Sequence, residues 1–362
     1  MSRDRVAVDV GSSAYAAASD GAPAPGYTAS GAPVLSVAPM MDWTDRHFRY
    51  FFRKISRHSL LYTEMITAAA IIHGDRDRLL AFDPSEHPIS LQLGGDDPDA
   101  IGRAITIASD YGYDEFNLNV GCPSDRVQDG HFGACLMADP GLVAGIARSM
   151  GEATDRPVTV KHRIGIDGRE RYDQMVEFVD TVAAAGIRRF TVHARIAILS
   201  GLNPKQNRSV PPLRYDDVYR LKRERPALEI EINGHVKSLG ETQDHLDRGV
   251  DAVMIGRAAY EDPWAFSATD SALFGGVTPN ITRESVVRDL FAYLDSLEAD
   301  GQPPRRLVNH LFGLFAGRPG ARSWRRALSE ASPEQPGRRI LEGALATVPR
   351  EVREEGPRFA DG

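Results

Sequence analysis

Short β-branched or apolar runs recur along the middle of the chain, at Val34–Ala38, Leu60–Thr63, Ile89–Leu93, Glu115–Asn119, Val158–Lys161, Phe190–His193, Ile230–Ile232 and Ala252–Ile255. Each is followed by a helical pattern or a longer insert. Asp139 followed by Pro140 marks a helix start, and Leu142, Val143, Ile146 and Met150 then repeat at helical spacing up to Gly151. A second predicted helix carries Tyr172, Met175, Val176, Val179 and Val182 on one face and stops at Gly186. A third opens with the capping-box pattern Ser238-Leu-Gly-Glu241 and closes at Gly249. Strands alternating with helices in this way predict an α/β protein, a parallel (β/α)8 TIM barrel over residues 34–275. An open doubly wound sheet is the competing arrangement, but no GxGxxG follows the first strand.

After Pro279 the alternation ends. Val286, Val287, Leu290, Phe291, Leu294 and Leu297 form a helical stripe, and Leu307–Phe315 and Ile340–Val348 also read as helical. Residues 280–350 are thus expected to form a small C-terminal all-α domain. Residues 1–33 are rich in Ala, Gly, Ser and Pro without a hydrophobic period, and are expected to be a disordered extension. They lack the apolar core of a signal peptide, and Asp4, Asp9 and Asp20 are unlike a transit peptide. Residues 351–362 read as a loose charged tail.

Composition narrows the classes. The chain has 362 residues, 42% of them hydrophobic and 26% charged, enough for a large core and against a disordered or disulfide-stapled chain. No apolar run is long enough to span a bilayer. The two cysteines, Cys122 and Cys135, form no CxxC pair, so neither a four-thiolate zinc site nor an iron–sulfur cluster is expected, and no metal is assigned. A cytoplasmic enzyme is expected, with a monomer the favoured state. The net charge of −7 has the wrong sign for indiscriminate nucleic-acid coating. Local patches differ from the total: residues 301–328 contain Arg305, Arg306, Arg318, Arg322, Arg325 and Arg326 and no acid, and Arg195, Lys205, Arg208 and Arg214 cluster in and before the insert after the sixth strand. Two basic patches beside one pocket suit phosphates on either side of an extruded base.

A barrel carries its active site at the C-terminal ends of its strands. Those ends hold Pro39-Met40-Met41, Glu64, Gln92, Asn117 and Asn119 with Cys122 beyond, Lys161 with Arg163, His193 with Arg195, Asn233-Gly234-His235 and Gly256-Arg257. Asn233-Gly234 and Gly256-Arg257 suit a phosphate bound after the last two strands. Lys161 is a cation in an apolar run and needs an anionic partner, for which a reduced flavin is one candidate. Gln92 can hydrogen-bond a heterocycle edge or be a satisfied core amide, and His193 can orient phosphate or ring or cap a core hydrogen bond. Cys122, between Gly121 and Pro123 on a rim loop, suits a proton donor or a nucleophile, its thiol having an ordinary pKa of about 8.5. Cys135, among apolar neighbours, reads as packing.

The segments Ala38-Pro-Met-Met-Asp42, Tyr62-Thr-Glu-Met65, Gln92-Leu-Gly-Gly95, Asn117-Leu-Asn-Val-Gly-Cys-Pro-Ser124, Val160-Lys161, His193-Ala-Arg195 and Ile255-Gly-Arg257 resemble the tRNA-dihydrouridine synthases. Pro123-Ser-Asp-Arg-Val127, Phe132-Gly-Ala-Cys-Leu-Met137 and Pro319-Gly-Ala-Arg-Ser-Trp-Arg-Arg326 resemble the bacterial branch that acts on uridines 20 and 20a of the tRNA D-loop. The resemblance implies bound FMN, NADPH as reductant, hydride delivery to C6 of uracil and protonation of C5 by Cys122. It implies that Pro39, Met40, Met41, Gln92, Lys161, His193, Asn233, Gly234, His235, Gly256 and Arg257 surround FMN, and that Asn119 holds the uracil. Arg195, Lys205, Arg208, Arg305, Arg306, Arg322, Arg325 and Arg326 are then the candidate tRNA contacts. The chain departs from the family pattern at His235, where a glycine is usual, at Ile196, where relatives tend to carry lysine, and at Asn309, where arginine is expected. Two other readings share these residues: an FMN oxidoreductase acting on a free small molecule, and a tRNA-binding protein with vestigial catalysis.

Overall fold

The computed structural model describes residues 23–357 apart from 125, 126, 128, 129, 279 and 333. Its sheet contains β1 (Leu35–Val37), β2 (Leu60–Tyr62), β3 (Ile66–Thr67), β4 (Ile89–Gly94), β5 (Glu115–Val120), β6 (Val158–Arg163), β7 (Arg189–His193), β8 (Glu229–Asn233) and β9 (Ala252–Ile255). All pairings are parallel; β1 pairs with β9 and β2 with β4, so eight strands close into the expected (β/α)8 barrel. The short β3 was not anticipated. It pairs only with the end of β4, outside the ring.

Strand residues alternate between two environments. Phe116, Leu118 and Val120 of β5, like Ile230 and Ile232 of β8, face outward into the large core shared with the helices. The residues between them face the lumen, where they are largely polar: Glu115, Asn117 and Asn119, or Glu231 and Asn233. A small apolar cluster of Ala38, Leu60, Tyr62 and Met254 fills the remaining side. Deep in the lumen Arg189 lies 3.0 Å from Glu231 and 3.7 Å from Glu115. Tyr62 and Ser90 each donate to Glu115 at 2.8 Å, and Ser36 donates to Glu231 at 2.6 Å.

The predicted helices form with small shifts. Asp139 caps Pro140–Glu152, which runs past Gly151, and Tyr172–Ala183 ends before Gly186 at φ 107°. Ser238 accepts from the Glu241 amide as expected, but the Glu241 carboxylate reaches the amide of Lys237 rather than that of Ser238, offsetting the box by one residue. In the C-terminal helices, Val286, Val287, Leu290 and Leu294 are fully buried. The expected helix over Leu307–Phe315 shortens to Arg305–Val308 plus a 3-10 turn; beyond it Gly313 lies against the carbonyls of Tyr260 and Glu261, where a Cβ would come within 2.5 Å. The arginine-rich stretch forms an unanticipated helix, Ala321–Glu330, with Trp324 and Leu328 inward and Arg322, Arg325 and Arg326 exposed.

Described parts of both terminal stretches are packed onto the fold. Residues 23–33 pack against the barrel: Ser30 donates through its amide and hydroxyl to Glu229 at 2.6 and 2.8 Å, and Tyr27 bridges to Pro33. Glu355 pairs with Arg283 at 2.9 Å and Arg318 at 2.7 Å. Residues 1–22 and 358–362 lie outside the described residues. No described helix is long and apolar enough to cross a membrane.

Replacing Arg189 with Ala leaves Glu115 and Glu231 facing each other without their cation. The expected loss is about 3–5 kcal/mol of stability, read from urea unfolding. Arg338→Ala, which breaks an exposed pair with Glu342, should cost under about 1 kcal/mol.

Candidate active site

Strand register brings the rim residues together. Asn119 is the register partner of Lys161, Arg163 of His193, and His193 of Asn233. The lumen polar groups satisfy one another laterally. Asn117 donates to Thr159 at 2.8 Å and accepts from the Gln92 amide at 2.8 Å; Gln92 in turn accepts from Asn119 at 2.8 Å. The Asn119 carbonyl oxygen then accepts from the backbone amides of Gly121 and Cys122, at 3.1 and 2.9 Å. This relay of amides runs across three strands and ends on the turn that carries the rim thiol.

Cys122 is fixed from other directions as well. Arg163, buried, donates through Nε to the Gly121 carbonyl at 2.8 Å and through Nη1 to the carbonyls of Ile196 and Asn207 at 3.0 and 3.1 Å. The Ala134 amide donates to the Cys122 carbonyl at 2.9 Å. That contact depends on Gly133, at φ 75°, where a Cβ would lie 2.6 Å from the Cys122 carbonyl oxygen and 2.4 Å from Val127. The thiol itself is half-buried, a free cysteine whose Sγ donates to Ser124 Oγ at 3.5 Å. Cys135 is also free, with its Sγ turned to the Phe132 carbonyl at 3.0 Å and its pKa raised by burial.

Cations dominate the mouth. Lys161, Arg163, Arg195, Arg208 and Arg257 gather there, and none forms an ion pair with a carboxylate among the described residues. Desolvation, with Arg163 adding to it, pulls the Lys161 ammonium down to about 8. Burial takes Arg163 down to about 10, and His193 is held well below the usual imidazole range by burial and then by Arg163 and Lys161. Lys161 is steered by Asn233, whose carbonyl oxygen accepts from Nζ at 3.1 Å while its Nδ2 donates to the Met254 carbonyl at 2.8 Å. Arg195 is tethered through Nη1 to the Pro211 carbonyl, and its buried Nε has no hydrogen-bond partner among the described residues. Such a mouth is prepared for an anion.

Of the two glycine turns, the one at Gly256 leaves room for one. Gly234, at φ 136°, sits where a Cβ would lie 3.0 Å from Leu213 and 3.3 Å from His193. A Cβ at Gly256 would meet nothing within 4 Å, so open space lies beside the backbone that leads into Arg257. His235 holds φ 62°, the left-handed conformation that suits the glycine usual at this position, and its side chain points to solvent. The histidine thus takes up a backbone conformation that glycine would adopt with less strain.

The other candidates are distributed between the lumen, the lip and the C-terminal helices. Met40 packs against the lumen cluster, but Met41 stands on the outer lip, 56% exposed. Asn119 and Gln92 are tied into the amide relay. Lys205 and Arg208 are exposed on the insert, whereas Arg214 is neutralised by Asp217. Arg305 reaches across to the Ala331 carbonyl at 2.5 Å and staples two C-terminal helices, and Arg326 pairs with Glu330 at 3.0 Å. Arg306, Arg322 and Arg325 are exposed. Arg163 was noted on the rim but not among the binding residues, and its central role is visible only from its three backbone acceptors.

Fold and site together define a (β/α)8 barrel with a cationic mouth, suited to an anionic group, beside a fixed rim thiol. Comparison with known proteins specifies the class further. The dihydrouridine synthase (Dus) family model matches residues 36–349. A tRNA-dihydrouridine(20/20a) synthase of Synechocystis sp. is 55% identical over 298 residues, covering 82% of this chain and 89% of that protein. Proteins of the same name from Vibrio vulnificus and Pseudomonas aeruginosa are 50% and 52% identical, covering 88% and 82% of this chain and 98% and 89% of their own. The chain belongs to the dihydrouridine synthase family, flavin-dependent oxidoreductases that reduce uridine in tRNA to dihydrouridine.

The lowered pKa of Lys161 has a stability signature. Between about pH 8 and the ordinary lysine value of 10.5 the unfolded chain holds a proton that the ligand-free fold has released. Stability contributed at this site should therefore rise with pH across that window. Urea midpoints of the cofactor-free protein, compared with those of Lys161→Met, should show a difference that shrinks as pH increases from 8 to 10.5.

Proposed function

We propose that this chain reduces the C5–C6 double bond of uridines 20 and 20a in the tRNA D-loop, with FMN as resident cofactor and NADPH as reductant. The observation that carries the reading is the juxtaposition of a thiol pinned through Asn119, Arg163 and Ala134 with a mouth of cations lacking described carboxylate partners. The residues fit the cofactor. Gly234, Gly256 and Arg257 would hold its phosphate; Lys161, backed by Asn233, would face its anionic ring edge; Pro39 and Met40 would line its apolar side. When bound and reduced, the flavin supplies the hydride that adds to C6 of uracil.

The chain's own residues supply the rest. Hydride addition at C6 leaves negative charge over C5 and O4, and C5 must gain a proton. Cys122 holds that proton on Sγ, and water is a poor substitute in a closed pocket. The amide relay through Asn119 sets the thiol's direction without itself releasing a proton. The positive potential from Lys161, Arg163 and Arg208 favours the developing charge. Outside the pocket, Lys205 and Arg208 on one side and Arg306, Arg322, Arg325 and Arg326 on the other would hold tRNA phosphates, so that the helices within residues 280–350 act as the tRNA-binding domain.

Incubation with NADPH and unmodified tRNA should yield dihydrouridine at the two D-loop positions, read by nucleoside analysis and mapping. Cys122→Ala should slow its formation by about 10²- to 10⁴-fold with FMN content unchanged, while Cys135→Ala should have little effect. Wild-type speed in the Cys122 variant would assign the proton to another group. FMN-loaded protein that reduces a free pyrimidine but not tRNA would move the reading to a small-molecule reductase.

Joint replacement of Arg322, Arg325 and Arg326 by Ala should weaken tRNA binding and lower the slope of log affinity against log salt by about two to three units. Flavin content should not change, since these side chains lie on a solvent-facing helix surface. An unaltered slope would remove this helix from the tRNA surface.

A further inference from the structure

A ladder of aromatic rings climbs from the core to the lip of the barrel. Phe48, fully buried, lies 5.4 Å from Tyr260, and Tyr260 stacks on Trp43 at 4.4 Å with 14° between planes. No other ring stands against Trp43 among the described residues, so the ladder ends there. Trp43 follows β1 and Tyr260 follows β9, neighbouring strands, and Tyr260 is one helical turn beyond Arg257. The uppermost ring therefore borders the cationic mouth, next to exposed Met41.

The ladder is held in place from the C-terminal helices. The Tyr260 hydroxyl donates to the Asn309 carbonyl at 3.4 Å and lies 3.2 Å from His310 Nδ1; His310 Nε2 lies 2.9 Å from the Asp45 carboxylate. Asp45 also caps the helix Arg46–Arg53, accepting from the amides of His47 and Phe48. The Trp43 amide donates to the Met40 carbonyl at 3.1 Å. A large apolar ring so firmly held, yet only half-buried at a charged rim, is more than the core requires.

We propose that Trp43 is a stacking platform for a nucleobase adjacent to the extruded uridine, an inference that rests on the tRNA reading above. A base taken out of its strand leaves its neighbour without a stacking partner, and an aromatic face replaces that partner for any base. Arg306, exposed on the C-terminal helices and near enough to act on His47, supplies charge for a flanking phosphate. Trp43 is thus a binding residue for the substrate's neighbour; Tyr260, His310 and Asp45 are positioning residues behind it.

The test uses FMN-loaded protein and two sets of tRNA transcripts, one intact and one abasic at the 5′ or 3′ neighbour of the target uridine. Trp43→Ala should weaken binding of intact tRNA by about 5- to 150-fold with FMN content unchanged, and Trp43→Phe should restore most of it. One of the abasic transcripts should weaken binding to the wild type by a similar factor, yet cost the Trp43→Ala variant little more. The protein has three tryptophans, and Trp264 and Trp324 are 5% and 0% exposed, so a change in indole emission on tRNA binding should disappear in Trp43→Phe. Equal sensitivity of wild type and Trp43→Ala to both abasic sites would overturn the proposal. Loss of FMN from Trp43→Ala would also overturn it, by giving the ladder to the cofactor. If wild-type protein failed to bind intact tRNA, the tRNA reading itself would fall.

Discussion

Polar side chains inside a barrel lumen are shielded from bulk solvent, so they are stabilised by partners on neighbouring strands. In this protein that constraint orders everything above it. Arg189 settles between Glu115 and Glu231 at depth; one layer higher, Asn117, Gln92 and Asn119 pass hydrogen bonds from strand to strand. A one-residue slip of β5 would turn Glu115, Asn117 and Asn119 into the apolar shell and Phe116 and Leu118 into the polar lumen. Register, once fixed by that cost, delivers the two backbone amides of the Cys122 turn to Asn119.

The mouth follows the opposite rule. Below, Arg189 sits between two carboxylates; above, Lys161, Arg163, Arg195, Arg208 and Arg257 are left without described carboxylate partners. A cluster of like charges is costly alone and favourable with an anion present. The imbalance is local, which is why a chain of net charge −7 can still hold a polyanion. The C-terminal helices extend the same logic outward, since their arginines face solvent while Trp324 and Leu328 fasten the helix that carries three of them.

The fold was legible because its signal is periodic. Eight short apolar runs separated by helical stripes leave few arrangements, and every one of them became a barrel strand. Site residues were legible where chemistry marks a side chain out, as with Cys122 between Gly121 and Pro123 or Lys161 in an apolar run. What escaped was relational. Glu115, Asn117 and Asn119 alternate with Phe116, Leu118 and Val120, a period of two that signals one polar face, but nothing local says whether that face meets solvent or a lumen. Arg163 looked like one more rim cation until its backbone acceptors, from distant loops, were in view. The helix at Ala321–Glu330 is hidden by its charge, because six of its positions, Ala321 to Arg326, read as a patch or a motif rather than as a face.

Gly133 shows how far the geometry of a reactive group can lie from the group itself. It has no side chain to offer, yet the turn it permits is what lets Ala134 hold the carbonyl of Cys122. In a map of mutational tolerance, Gly133 would therefore stand as a cold spot beside the rim thiol, for steric reasons alone. Intolerance to replacement does not by itself mark a residue that takes part in chemistry.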